Sequence, residues 1–254
     1  LVVPDRFANG DPGNDSVAGL REAARRADPD GRHGGDIAGL RRHLDYIAAL
    51  GFTQLWPTPM LENDQPRHSY HGYAITDLYR VDPRMGRNED VRALARDARA
   101  RGIGLVMDVV LNHIGSGHWW MRDLPAKDWI NGGGKFSPTN HRRTTIQDPH
   151  AAPADRAGFT DGWFVPAMPD LNQRNPHVAR YLIQNTLWWI EYAGLSGIRE
   201  DTFGYADSRF LSDWAKAVTD EYPHFSMVGE EWSPNPAVVA HWQRGKANPD
   251  GHVP

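Results

Sequence analysis

The chain has no cysteine. Disulfide bonds, thiolate catalysis and cysteine-ligated zinc are thereby excluded. The compartment stays open, because secreted proteins without disulfides exist; a periplasmic or secreted location is favoured over a cytoplasmic one. No run of about 18 apolar residues suggests a membrane-spanning helix. Nor does one sign of charge dominate. Lys and Arg number 28 against 32 Asp and Glu, a net charge of −4, which gives no electrostatic footprint for nucleic acid or an anionic membrane. No signal peptide precedes Leu1. Leu1-Val2-Val3-Pro4, without an initiator methionine, reads like the middle of a strand, so the sequence is read as a piece of a longer protein.

What is present suits a folded α/β protein. At 254 residues, 40% hydrophobic and 24% charged, the chain is long enough to bury a substantial core. The twelve His and ten Trp stand out. Indole rings suit sugar stacking, and they equally suit core packing.

Apolar β-like runs alternate with amphipathic helices. A first strand is predicted over residues 1–7. Ile37, Leu40, Leu44 and Ile47 fall at helical spacing, with Gly51 as a stop. A short strand over 52–56 ends at Pro57. A second helix carries Val91, Leu94, Ala95 and Ala98 and ends at Gly102. Residues 103–110 form an apolar run expected of a strand buried on both faces. Asn175 and Pro176 suit the cap and first turn of a third helix, which ends near Gly194. Strands follow over 197–201 and 225–231, with helices over 207–221 and from Pro236. Helices that run out into Gly and then into an apolar strand are βα units of a parallel sheet. About five are present, where a closed barrel needs about eight. The fold class is therefore α/β, a partial (β/α)8 barrel. Residues 1–113 form its first part. Residues 114–171, rich in Gly, Pro and Trp and too long for an ordinary loop, form a subdomain inserted after the third strand. Residues 172–254 continue the barrel through about its fifth unit.

Barrel enzymes place their chemistry at the C-terminal ends of strands. Asp108, Arg199, Asp201 and Glu230 stand there. Alternation puts Arg199 and Asp201 on one face of their strand and Glu200 on the other, while Glu230 faces away from Glu231. Arg199 is expected to lower the Asp201 pKa and hold it ionised as a nucleophile. A second carboxyl on the next strand can stay protonated and act as the acid. Strands ~4.8 Å apart bring the two carboxyls within reach of the ~5 Å separation of a retaining glycosidase. Taken singly, each acid reads first as a solvated strand-end charge, and Arg199–Asp201 as an ordinary salt bridge.

The sequence resembles the α-amylase family of glycoside hydrolases. Asp-x-x-x-Asn-His appears as Asp108-Val109-Val110-Leu111-Asn112-His113. Gly-x-Arg-x-Asp appears as Gly197-Ile198-Arg199-Glu200-Asp201, and the later Glu as Gly229-Glu230-Glu231-Trp232. Tyr70-His71-Gly72-Tyr73 and Met168-Pro169-Asp170-Leu171-Asn172 complete five elements in order. The resemblance implies Asp201 as nucleophile and Glu230 as acid/base. It implies Arg199 as the partner orienting Asp201, Tyr73 as a stacking platform, His71 and His113 as donors to the sugar, and Asp108 as a supporting acid. Without it, Tyr73 and His113 would read as core residues. The family's last signature, a His-Asp pair, is not found after Trp232: His241 and His252 are followed by Trp242 and Val253. The piece alone is therefore expected to be poorly stable and inactive.

Asn9, Asp11, Asn14 and Asp15 crowd a Gly/Pro-punctuated loop whose oxygens could hold Ca²⁺ or simply form a turn. The segment Asp5-Arg6-Phe7-Ala8-Asn9-Gly10-Asp11 resembles the calcium loop of cyclomaltodextrinases and neopullulanases, where Gly34 and Asp36 would complete the shell. Thr202-Phe203-Gly204-Tyr205 departs from the Lys-His of many α-amylases at its last two positions. That implies a cyclomaltodextrinase- or neopullulanase-like enzyme acting on α-1,4 bonds, with α-1,6 bonds as a second candidate, in cyclomaltodextrins, pullulan or starch-derived oligosaccharides. A transglycosylase on the same scaffold and a non-catalytic family member remain the alternatives. No nucleic-acid or membrane partner is expected.

Overall fold

A computed structural model describes residues 1–243. The end of the predicted third segment, 244–254 with His252, lies outside the described residues. The first predicted strand is mostly absent. Only Val2 pairs, in a parallel bridge with Pro57, donating to the Trp56 carbonyl at 2.8 Å and accepting from Thr58 at 2.9 Å. The next residues form a short helix, α1 (Pro4–Phe7). Pro4 has no N–H to give a sheet and its fixed φ suits a first helical turn. The Asp5 carboxylate then takes the backbone N–H groups of His33 and Gly34, drawing the chain off the sheet.

The helix predicted after Asp36 forms as two pieces, α2 (Ile37–Arg42) and α3 (Leu44–Ala49). The break at His43 has a local cause. Its ring Nδ1 donates to the Gly39 carbonyl at 2.8 Å, taking the acceptor its own N–H would use in a continuous helix, and that N–H turns to Leu40 instead. Then come β1 (Gln54–Leu55), β2 (Leu61–Glu62), β3 (Asp77–Val81), α4 (Asn88–Arg99) and β4 (Gly104–Val109). The β2–β3 antiparallel pair was not legible in the sequence, since two residues carry no periodicity.

After β4 the chain leaves the sheet through 114–171. It holds α5 (Pro153–Thr160) and returns where Asp170 and Leu171 bridge antiparallel to His113 and Ile130. The barrel pattern resumes with α6 (Pro176–Ala193), capped by Asn175 and closed by Gly194 at φ +65° as the sequence predicts. It continues through β5 (Gly197–Glu200), α7 (Ser208–Glu221), β6 (Ser226–Gly229) and α8 (Pro236–His241).

The sheet order is β1-β4-β5-β6, all parallel, and Val2 extends it beyond β1 as a fifth line of chain. This is an open, partial barrel. Its outer face packs on α4, α6 and α7, with Leu105, Met107 and Ile198 buried against them. Five tryptophans are buried, Trp189 and Trp214 in that core and Trp120, Trp129 and Trp163 in the excursion. The Trp189 indole donates to the Leu78 carbonyl at 2.9 Å and that of Trp214 to the Thr186 hydroxyl at 3.0 Å, while Trp119 and Trp232 stay exposed. Among the described residues β6 pairs only with β5, and its Val228 is 58% exposed. No helix among the described residues is long and apolar enough to cross a membrane.

Candidate active site

Register explains why the charged residues meet. Asp108 of β4 lies opposite Arg199 of β5, and Arg199 opposite Val228 of β6. Alternation then points Asp108, Arg199, Asp201 and Glu230 into one space at the strands' C-terminal ends. The Arg199 guanidinium joins all three acids. Its Nη1 donates to Asp108 Oδ1 at 2.8 Å and Asp201 Oδ1 at 2.7 Å, and its Nη2 contacts Glu230 Oε1. Glu230 Oε2 accepts from the Thr202 N–H at 3.0 Å. Asp201 Oδ2 accepts from the Thr202 hydroxyl at 3.3 Å. Glu231 faces away, as the alternation predicts, and accepts from the Trp242 indole at 3.2 Å.

The expected pKa order does not hold at Asp201. Burial pushes it up to about 7, against the opposing pull of Arg199. Asp108 is likewise raised to about 6. The reason is stoichiometric: one guanidinium serves three carboxyls in a water-poor site, so desolvation outweighs its attraction.

Trp56 and Thr202 are site residues that sequence reasoning passed over. The Trp56 indole donates to Asp108 Oδ2 at 2.9 Å, beside the Tyr73 hydroxyl at 3.1 Å. Trp56 stands at the end of β1, a strand-end position like those of the acids, and that was the available signal. Arg199 lies over the rings of both Trp56 and Tyr73, at 5.2 and 5.8 Å.

His71 and Tyr73 share one wall, their rings stacked at 5.8 Å. Gly72 between them has φ +90°, and a Cβ there would strike the Pro59 carbonyl, so glycine permits this turn. The Tyr73 N–H donates to His71 Nδ1, which leaves Nε2 as a donor. Burial depresses the His71 pKa to about 4, keeping the ring neutral. His113 is placed differently from the sugar donor the resemblance implies. It is buried, and its Nε2 donates to the Tyr73 carbonyl at 3.1 Å. In this state it supports the wall instead of facing the cleft.

The predicted calcium residues gather only in part. Asn9 donates to Asp15 at 2.5 Å, Asn14 reaches Asp36 at 3.4 Å, and a Cβ at Gly34 would strike the Asp15 carboxylate. The side-chain carbonyl oxygens of Asn9 and Asn14 are buried without a hydrogen-bond partner. Asp36 already accepts from Gly10, Asp11 and Gly39 and caps α2. Asp11 is exposed and turns to the Gly13 N–H. Among the described residues no three His, Cys, Asp or Glu side chains converge on a metal position.

Comparison with known proteins bears on the family. The family model "Alpha amylase, catalytic domain" matches residues 1–252. Neopullulanase 2 of Thermoactinomyces vulgaris is 33% identical, aligned over 91% of this chain and 38% of its own. A cyclomaltodextrinase of Geobacillus thermopakistaniensis is 30% identical over 91% and 37%. The crystal structure of an Anoxybacillus α-amylase superposes with a TM-score of 0.81 at 33% identity, covering 94% of this chain and 48% of that one. The chain thus spans under two fifths of the length of these two curated relatives. By sequence and by fold, the chain belongs to the α-amylase family.

Proposed function

We propose that the whole protein is a retaining glycosidase that cleaves α-glucosidic bonds in cyclomaltodextrins, pullulan or starch-derived oligosaccharides. The observation that carries this is the single Arg199 guanidinium shared by Asp201 and Glu230 on adjacent strands. Two carboxyls on one guanidinium suit the ~5 Å pair of a retaining enzyme better than the ~6.5–9.5 Å pair of an inverting one. Arg199 holds Asp201 Oδ1, leaving Oδ2 as the oxygen that bonds to the anomeric carbon. Glu230 gives its proton to the departing glycosidic oxygen. It then takes a proton from water, whose oxygen displaces Asp201. Tyr73 offers a ring face and His71 an N–H to the sugar.

Asn9, Asn14, Asp15, Gly34 and Asp36 would hold a calcium ion. Two buried, unpartnered amide oxygens beside a carboxylate suit a hard cation. Bound there, it would fasten the loop that meets the start of α2, and chelation should lower the melting temperature. An unchanged melting temperature under a strong chelator would remove this site.

The deciding experiment compares initial rates of the whole protein on cyclomaltodextrin, pullulan and soluble starch. Faster cyclomaltodextrin or pullulan cleavage supports this substrate range. Faster starch cleavage points to an ordinary α-amylase specificity, and no cleavage of any overturns the proposal.

A further inference from the structure

Arg143 lies in the excursion after β4, yet its side chain reaches the two residues that follow Glu230. Its Nε donates to the Tyr205 hydroxyl at 3.1 Å. Its guanidinium sits 5.0 Å from the Trp232 ring centre, and its Nη1 lies 4.0 Å from Glu231 Oε1. Tyr205 is buried and also meets His141 Nδ1 at 3.0 Å, so its hydroxyl is fixed from the excursion side. Glu231 is held in turn by the Ser233 N–H at 2.9 Å.

Arg143 bears on the turn that follows β6. Glu230 is the first residue beyond β6, and its own N–H still bonds to the Glu200 carbonyl at 2.9 Å. Among the described residues Glu231 and Trp232 have no such ladder partner, and Arg143 bears on both.

We propose that Arg143 is a positioning residue: anchored by Tyr205, it fixes the Glu231–Trp232 turn and thereby the place of the Glu230 carboxyl against the glycosidic oxygen. The inference rests on Glu230 being the proton donor. Its consequence is specific to one bond. The proton leaves Glu230 for the glycosidic oxygen as the C–O bond breaks and Asp201 closes on the anomeric carbon. A sugar leaving group needs that proton, whereas a dinitrophenolate departs without it.

The test uses the whole protein with Arg143→Ala and Tyr205→Phe, assayed on a maltooligosaccharide and on dinitrophenyl α-maltoside. Tyr205→Phe keeps the ring packing and removes only the hydroxyl, so it reads the same contact should Arg143→Ala unfold. Arg143→Ala should slow maltooligosaccharide turnover by about 100-fold, the lower end of what a placed general acid supplies. Tyr205→Phe should act in the same direction by less. On dinitrophenyl maltoside kcat/KM, which reports only the step that forms the glycosyl-enzyme, should hardly change. Equal slowing on both substrates would mean a merely structural role, and equal rates to wild type would mean no role; either overturns the inference. A wild-type protein inactive on both would instead bring down the glycosidase reading itself.

Discussion

The two faces of β5 carry the same kinds of residue and treat them differently. On the inner face, Arg199 and Asp201 are buried, and each charge has a partner of good geometry. On the outer face, Ile198 packs into the core, while Glu200 is wholly buried and neither of its oxygens forms a good hydrogen bond. Burial and the nearby Asp201 push the Glu200 carboxyl well above its usual range, with only weak relief from Arg199 and the Leu111 backbone. Its surroundings therefore favour the neutral acid. Burial alone does not mark a catalytic acid here. What separates Asp201 from Glu200, its neighbour in sequence, is a shared cation, an open face and a second acid across the gap.

That contrast can be broken most sharply at Asp201. Asp201→Asn should cut turnover by about 10,000-fold. Turnover within a factor of a few of wild type would put the two faces on a par. Retention of the proton sharpens the inner face further. As the proposed nucleophile, Asp201 raised to about 7 must lose its proton to attack, so kcat/KM should rise with pH through about 7. A flat profile from pH 5 to 8 would contradict the desolvation argument.

On the outer face the effects should fall on stability. Ile198→Ala should cost ~2–5 kcal/mol in denaturant unfolding, as a core truncation does. Glu200→Met should do the reverse, raising stability by ~1–3 kcal/mol at pH 8, because it removes a poorly satisfied polar group from the interior. Loss of stability in Glu200→Met would mean that the carboxyl has a partner that counts.

A pH-linked effect returns to Asp201. Unfolded, its carboxyl ionises near pH ~4, whereas folded it keeps its proton up to about 7. Between those values the folded chain holds the extra proton, so its stability falls as pH rises. Asparagine has no such loss. The melting temperature of Asp201→Asn minus that of wild type should therefore grow from pH 4 to pH 8, at ~3 °C per kcal/mol. A constant difference would show that Asp201 is ionised throughout.

The legible parts of the molecule were those written in local pattern. The α6 ends follow from Asn175, Pro176 and Gly194, each acting through its own backbone chemistry. The faces of Arg199, Glu200 and Asp201 follow from the two-residue period of a strand, and the structure places them so. The β2–β3 pair and the break at His43 were not legible. The first depends on two residues finding a partner far along the chain, and the second on a side chain competing with its own backbone. The same holds for Trp56, His113 and Arg143, whose places depend on contacts across the fold.

The sequence by itself determined the parallel order of βα units, the acids at strand ends and the family to which they point, because these rest on periodicity and fixed spacing. Only the tertiary structure decided that one guanidinium serves three acids, that Asp201 is raised instead of lowered, and that His113 supports Tyr73. Those outcomes depend on how much water the fold excludes and on which groups compete for one donor, and neither quantity exists until the strands are side by side.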